Sequence, residues 1–281
     1  EIFKQLSQNY LKFRNTCKFC LDNLVGFDAD HLVQPDEMLP LDKWAVTRLN
    51  TLIEKVFAAY DNYEFHVVSH MVNDFCVVDL SSFYFDIIKD RLYCGEENSL
   101  ERRSAQSAVW MILDAMTRLF APILAFTCDE VWLAMPHRAG DDARNVLLNQ
   151  MVQPYAAYAL SEEEMGKWAR LAALRTAVNG ALEQARADKT IGKSLEAEVD
   201  LTVTAEDAFL TDMDAADLAD LLIVSQVRVE VGAEQDVAVR PANGAKCLRC
   251  WKVLPTVGSD AGHPDLCPRC AAVVKNLPVI E

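Results

Sequence analysis

Residues that break or loosen structure are scarce in this chain. Only 10 glycines and 10 prolines occur among 281 residues, which excludes collagen-like, linker-like and low-complexity architectures. Long apolar runs are missing too. Asp114 and Arg118 interrupt the longest candidate, leaving nothing near the roughly eighteen residues that a membrane-crossing helix needs. Positive charge is in deficit: 27 Lys and Arg stand against 42 Asp and Glu, a formal net charge of −15. A broad phosphate-binding surface is excluded on that ground, because the phosphate backbone rewards clustered cations and repels an acidic chain at long range. Neither an initiating Met nor a basic-then-apolar leader opens the chain, which begins Glu1-Ile2-Phe3. The expectation is a soluble segment excised from a larger protein. Catalytic patterns are absent as well, since no nucleophile stands beside a base and no carboxylate cluster has catalytic spacing.

What is present is 51% hydrophobic and 25% charged, an ordered, globular composition long enough for two or three cores. Leu6, Tyr10, Phe13, Cys17, Cys20 and Leu24 recur at steps of four and three, which places them on one helical stripe. Lys4, Arg14 and Lys18 share a different face. Residues 26–40 read as a loop, after which Asp42 is positioned to cap a helix running to about Tyr60. A third helical stretch, Glu64 to about Tyr93, carries Val67, Met71, Phe75 and Val78 at helical spacing. A fourth runs from about Ser99 until Pro122 bends or ends it. Thr127 with Glu130, and Ser161 with Glu164, fit capping boxes, the second opening a helix to about Ala187. Residues 1–155 are therefore expected to form a helical bundle. Beyond it Glu198 to Thr204 alternates polar and apolar as a half-buried strand does. Residues 222–231 and 236–240 read as further strands, with a helix over 214–221. The expected division is a bundle at 1–155, a connecting helix and small α+β unit at 156–240, and a terminal module at 241–281, mainly α overall.

The terminal module carries the most specific pattern. Cys247-Leu-Arg-Cys250 and Cys267-Pro-Arg-Cys270 are two CxxC pairs separated by sixteen residues. Each pair supplies two thiolates from a tight knuckle, and the spacer is long enough for a hairpin that closes both around a tetrahedral Zn²⁺. Gly244, Gly258 and Gly262-His263-Pro264 supply turn chemistry around the knuckles. Two disulfides are the alternative, disfavoured without a sign of an oxidising compartment.

Other chemistry-bearing residues have plainer readings. Cys17-Lys-Phe-Cys20 is a third CxxC, yet both thiols fall on the apolar stripe and no βαβ pattern surrounds them, so they read as core. Cys76, Cys94 and Cys128 read as packing residues. His66 and His70 stand four apart, but Val67 occupies the position where a zinc protease needs Glu, so they read as a structural or surface pair. His263 reads as a loop residue. Ala187-Asp-Lys-Thr-Ile-Gly192-Lys193-Ser194 comes within one residue of a phosphate-binding P-loop. Its first glycine is missing and it follows a helix where that motif follows a strand, which rejects nucleotide binding there.

Arg249 and Trp251 flank Cys250 in a locally basic tail. From Arg240 onward six bases outnumber three acids, so a local, specific RNA contact stays open although a broad one does not. A zinc-held knuckle would present the guanidinium and the indole as a rigid pair suited to unstacked RNA bases. The competing reading has Trp251 covering the small core of the module.

Four segments in order resemble the C-terminal half of bacterial-type isoleucyl-tRNA synthetases. They are Tyr10-Leu-Lys-Phe-Arg14-Asn15-Thr16, Ala121-Pro-Ile-Leu-Ala-Phe-Thr127-Cys-Asp-Glu130-Val-Trp132, Glu183-Gln-Ala-Arg186 with Ile191-Gly-Lys-Ser-Leu-Glu-Ala197, and Cys247-Leu-Arg-Cys-Trp251. The resemblance spans essentially the whole chain. The first two segments are shared with valyl and leucyl relatives, whereas the terminal CxRCW with a second CxxC favours the isoleucine enzyme. It implies a class I synthetase-type anticodon-binding bundle that grips the anticodon stem-loop of tRNA(Ile), and a zinc module that adds contacts through Arg249 and Trp251, with Arg14 and Asn15 as further candidates. It also implies metal ligation by Cys247, Cys250, Cys267 and Cys270, and a cytoplasmic enzyme with no DNA or membrane partner. ATP-dependent chemistry would then take place on an upstream catalytic domain of the same protein, whose HIGH and KMSKS signatures do not occur here. Two other readings stay open. The sixteen-residue spacer is similar to the zinc module ending formamidopyrimidine-DNA glycosylases, and a non-enzymatic zinc-ribbon adaptor would carry the same cysteines.

Overall fold

The computed structural model describes residues 2–277, and the chain divides after Ser161 into two compact units. The first is helical. α1 spans Ile2–Asn23. α2 spans Pro40–Asp61 with Pro40 in its first turn, where the missing N–H has no helical partner to lose. α3, Phe65–Asp74, continues through a π-helical stretch, Phe75–Tyr84, into α4, Phe85–Cys94. α5, Leu100–Phe120, starts on Ser99, whose hydroxyl accepts the Arg102 N–H at 3.3 Å. α6 spans Ala125–Ala134. No helix among the described residues is long and apolar enough to cross a membrane.

α5 is the central helix, buried nearly all round, with Trp110, Met111, Ile112 and Leu113 sealed at its middle. The two buried indoles keep their N–H groups satisfied, Trp110 donating to the Pro136 carbonyl at 2.8 Å and Trp132 to that of Asp142 at 3.0 Å. The core also encloses charge. Asp42 is 0% exposed and accepts two bonds from Arg91 at 3.0 Å, one from the Tyr84 hydroxyl at 2.7 Å and one from Ser104 at 2.6 Å. Those donors sit on α4, the π-helical stretch and α5, so one carboxylate fixes α2 against three neighbours. Asp114 on α5 accepts from Arg118 at 2.7 Å and from the Tyr155 hydroxyl at 3.3 Å. Burial pushes its carboxyl above the usual range while Arg118 pulls the other way.

Three sequence expectations are corrected here. Asp42 does not cap α2. The cap position is Leu39, and the carboxylate turns inward because Arg91 offers it a bidentate partner. Thr127 does not cap α6 either: that helix starts at Ala125 behind Leu124, and the Thr127 hydroxyl lies 3.4 Å from that of Tyr10. The third helical stripe is displaced. On α3 the buried residues are Val68 and Val72, one position on from Val67 and Met71, and from Phe75 the wider π-helical turns bury Cys76 and Leu80 and leave Val78 60% exposed. On α1 the stripe is buried from Phe13 to Leu24, whereas Leu6 is 58% exposed.

The second unit opens with α7, Glu162–Ala187, directly after Ser161. β1, Ala197–Val203, is central in a sheet of order β2-β1-β3. β2, Gln226–Val231, runs parallel to β1 after the crossover helix α8, Ala215–Leu222; β3, Asp236–Pro241, runs antiparallel. Asp214 caps α8 by accepting the Ala216 and Asp217 N–H groups at 2.7 and 3.3 Å. Val199, Leu201 and Val203 form the buried face of β1, and Glu198 on its other face accepts from Arg228 and Arg240 at 3.1 and 2.9 Å. The expected strand from Leu222 is shorter. Leu222 ends α8, Ile223 takes a left-handed φ of 56°, and pairing begins at Gln226. Two two-residue strands, β4 Ala245–Lys246 and β5 Val253–Leu254, pair before α9, Pro268–Lys275.

Candidate metal centre and nucleic-acid interface

The β4–β5 hairpin holds the first cysteine pair at its tip. Gly244, at φ 121°, lets the chain enter β4 against the Leu254–Pro255 backbone, where a Cβ has no room. At the tip, the Trp251 N–H donates to the Cys247 carbonyl and the Cys247 N–H to the Lys252 carbonyl, both at 2.9 Å. This closes a tight knuckle. The second pair lies at the start of α9, with Cys267 at its cap position and Cys270 in its first turn. The four sulfurs lie within 4.8 Å of one another, and all four cysteines are buried. Cys250 and Cys267 Sγ are 3.9 Å apart. A Zn–S bond of about 2.3 Å in tetrahedral geometry sets sulfurs about 3.8 Å apart, so the cluster is the right size for zinc.

The electrostatics agree with a cation. Burial pushes the Cys250 thiol up to about 11, and raises Cys267 and Cys270 as well. Cys247 is also penalised by burial, but the N–H groups of Cys250, Cys267 and Arg249 outweigh that and hold it at about 6. One of those donors, the Cys267 amide, lies 3.3 Å from Cys247 Sγ. Four thiolates in one buried volume need a compensating positive charge, which Zn²⁺ supplies.

Arg249 and Trp251 do not project alike. The Arg249 guanidinium turns back to the cluster, Nη1 donating to Cys270 Sγ at 3.9 Å. Trp251 faces outward, 58% exposed, at a left-handed φ of 65°, so it is not the lid of a small core. Leu248 of the same knuckle is 65% exposed, and the Lys193 ammonium lies 5.7 Å from the centre of the indole ring. The knuckle is tied to the sheet through groups with no sequence signature. Ser225 Oγ accepts the Val253 N–H at 2.7 Å and donates to the Leu195 carbonyl at 2.5 Å. Gln226 Nε2 donates to the carbonyls of Asn243 and Val253 at 2.8 and 3.0 Å, and Lys252 pairs with Asp220.

Arg14 and Asn15 are exposed on α1, in the first unit, and so belong to a different body from the cysteine cluster. Cys17 and Cys20 are sealed in the bundle core, their thiols pushed up by burial, as are Cys76 and Cys128 at about 12. His66 and His70 lie on the surface.

Residues 42–201 match the family model of the anticodon-binding domain of tRNA ligases. The chain belongs to that family. As a tRNA-ligase anticodon-binding protein it carries a second match, at residues 244–273, to a zinc finger found in FPG and IleRS, and with the sulfur cluster this makes structural zinc its metal. That finger is common to two enzyme classes, and the anticodon-binding match separates them. Isoleucine-tRNA ligases from Geobacter sulfurreducens, Desulforamulus reducens and Moorella thermoacetica are 43%, 45% and 42% identical over 98% of the chain. The chain spans 31% of the length of each, in the C-terminal portion.

Proposed function

We propose that this protein reads the anticodon stem-loop of tRNA(Ile) for an enzyme that attaches isoleucine to that tRNA at the expense of ATP, the chemistry residing in an upstream catalytic domain of the same cytoplasmic protein. Cys247, Cys250, Cys267 and Cys270 would hold the zinc, whose contribution is structural: it neutralises the thiolates and closes the two knuckles on each other. The outward indole of Trp251 carries this reading, because a half-exposed aromatic ring on a metal-fixed turn is a platform for an unstacked base. Arg249, whose guanidinium reaches Cys270 of the cluster, is the module's second candidate contact, and Arg14 and Asn15 are candidate contacts on the helical unit. Trp251→Ala should weaken binding of the tRNA(Ile) anticodon stem-loop by one stacking interaction, about 1–3 kcal/mol, with the helical unit melting as before. Equal affinities of variant and parent in a filter-binding titration reject the assignment.

A further inference from the structure

The segment between α7 and β1 approaches Trp251 and is held in one shape. The Glu196 carboxylate accepts the N–H groups of Gly192 and Lys193 at 2.9 and 3.2 Å. Ile191 is buried beneath it. The Leu195 carbonyl is fixed by Ser225, the same hydroxyl that holds Val253 of the knuckle hairpin. One serine therefore sets the spacing between the two loops. From this frame the exposed Lys193 side chain reaches the indole, its ammonium 5.7 Å from the ring centre. Among the described residues no ion pair holds that ammonium.

Trp251 itself sits in a backbone conformation that bulky side chains seldom adopt. Such conformations persist where surrounding contacts over-determine them, and they concentrate at binding sites. Here the knuckle bonds and the cysteine pair impose it. The Lys193 cation and the exposed indole lie together in a chain whose net charge is −15, and the Glu196 carboxylate is an acid that feels the Lys193 charge.

We propose that Lys193 and Trp251 form a two-part grip for a single nucleotide of single-stranded RNA, the indole stacking on the base and the Lys193 ammonium neutralising the phosphate attached to it. The ammonium lies over the ring, so a base stacking on the face that Lys193 leaves open carries its phosphate past the ring edge, within reach of the long Lys193 side chain. The cation–π contact then keeps Lys193 in place before RNA arrives, reducing the side-chain ordering that binding requires. This use of Lys193 differs from a P-loop, which cradles phosphates with backbone N–H groups; here that backbone is occupied by Glu196. The proposal rests on the anticodon reading above and adds the residue that recognises the phosphate.

The test is binding of the tRNA(Ile) anticodon stem-loop to the full 281-residue chain, followed by fluorescence anisotropy across a potassium chloride series. Lys193→Met should weaken binding roughly fivefold at low salt and flatten the log–log salt slope by about 0.7, one single-strand phosphate contact. Lys193→Arg should keep both the affinity and the slope, and Trp251→Ala should lower affinity with the slope unchanged. Parental affinity and slope in Lys193→Met, beside a weakened Trp251→Ala, overturn the role of Lys193 and leave the anticodon reading standing. Weaker binding with an unchanged slope makes Lys193 a prop for the ring and also overturns the phosphate contact. Undetectable binding by the parent, or a Trp251→Ala variant equal to it, overturns the anticodon reading and this proposal together.

Discussion

Two aspartates in the first unit show how context decides what a single charge is worth. Asp22 pairs with Lys18 at 2.6 Å on the open face of α1, both side chains more than half exposed. Water solvates each partner as well as the other does, so such pairs contribute little. Asp42 has no access to water and satisfies Arg91, Tyr84 and Ser104 at once. Its charge is tolerated because every lone pair it presents to the interior has a donor, and the Arg91 guanidinium beside it is itself largely buried. Removing the negative charge takes from that guanidinium its bidentate carboxylate partner. Asp42→Asn should destabilise the helical unit by about 3–5 kcal/mol, read from urea unfolding followed by far-ultraviolet dichroism. Asp22→Asn should leave the midpoint where it was. Matching midpoints for the two variants would show that the buried network is not what pins α2 to α4 and α5.

At the scale of elements, the terminal module depends on its metal more than any other part of the chain. Its strands are two residues long and α9 has eight, too little structure to enclose a core, and apart from Ala271 and Val273 its buried centre is the cysteines themselves. Structural zinc supplies roughly 10–16 kcal/mol of apparent binding free energy in comparable small modules. Chelation should therefore abolish amide protection across 245–275, while the three-stranded sheet, with its own ladder, keeps its protection in hydrogen exchange. Unchanged protection of the knuckles after metal removal would contradict this. That dependence was legible in the spacing of Cys247, Cys250, Cys267 and Cys270, since ligand geometry imposes itself on sequence. Helices α2, α5 and α7 were legible from signals at their ends, the loop closing at Pro40, Ser99 with Pro122, and Ser161, and strand β1 from the alternation that one buried face leaves in the residues. What could not be read follows from choices that leave no period. The π-helical turn at Phe75–Tyr84 shifts the inward face by local backbone bonding, the carboxylate of Asp42 prefers a distant arginine to its own helix end, and Ile223 reverses the chain without a glycine. The weld of knuckle to sheet runs through Ser225 and Gln226 to main-chain carbonyls and amides, partners that carry no residue identity.

For the molecule as a whole, the sign of its charge sets the terms on which RNA can be bound. From Arg240 to the end the balance is +3, so the remainder carries −18 of the total −15. A polyanion approaching at random meets repulsion, and affinity must come from a small basic and aromatic locus instead of a diffuse cationic surface. Non-specific binding is suppressed by the same charges, which lets a weak local grip discriminate among nucleic acids. Proteins that neutralise about six to ten phosphates show correspondingly steep salt dependence, near 0.9 log units per contact on duplex DNA and 0.7 on single strands. With few cations at the site, binding of the anticodon stem-loop should show a log–log salt slope no steeper than about −3, corresponding to roughly four single-strand phosphates. Duplex DNA of equal length should fail to compete at 0.1 M potassium chloride, where the Debye length of about 10 Å confines attraction to the immediate surroundings of Trp251. A slope steeper than about −5, or efficient competition by duplex DNA, would mean that a wide phosphate-binding surface exists despite the acidic balance, and that the outward indole is incidental to it.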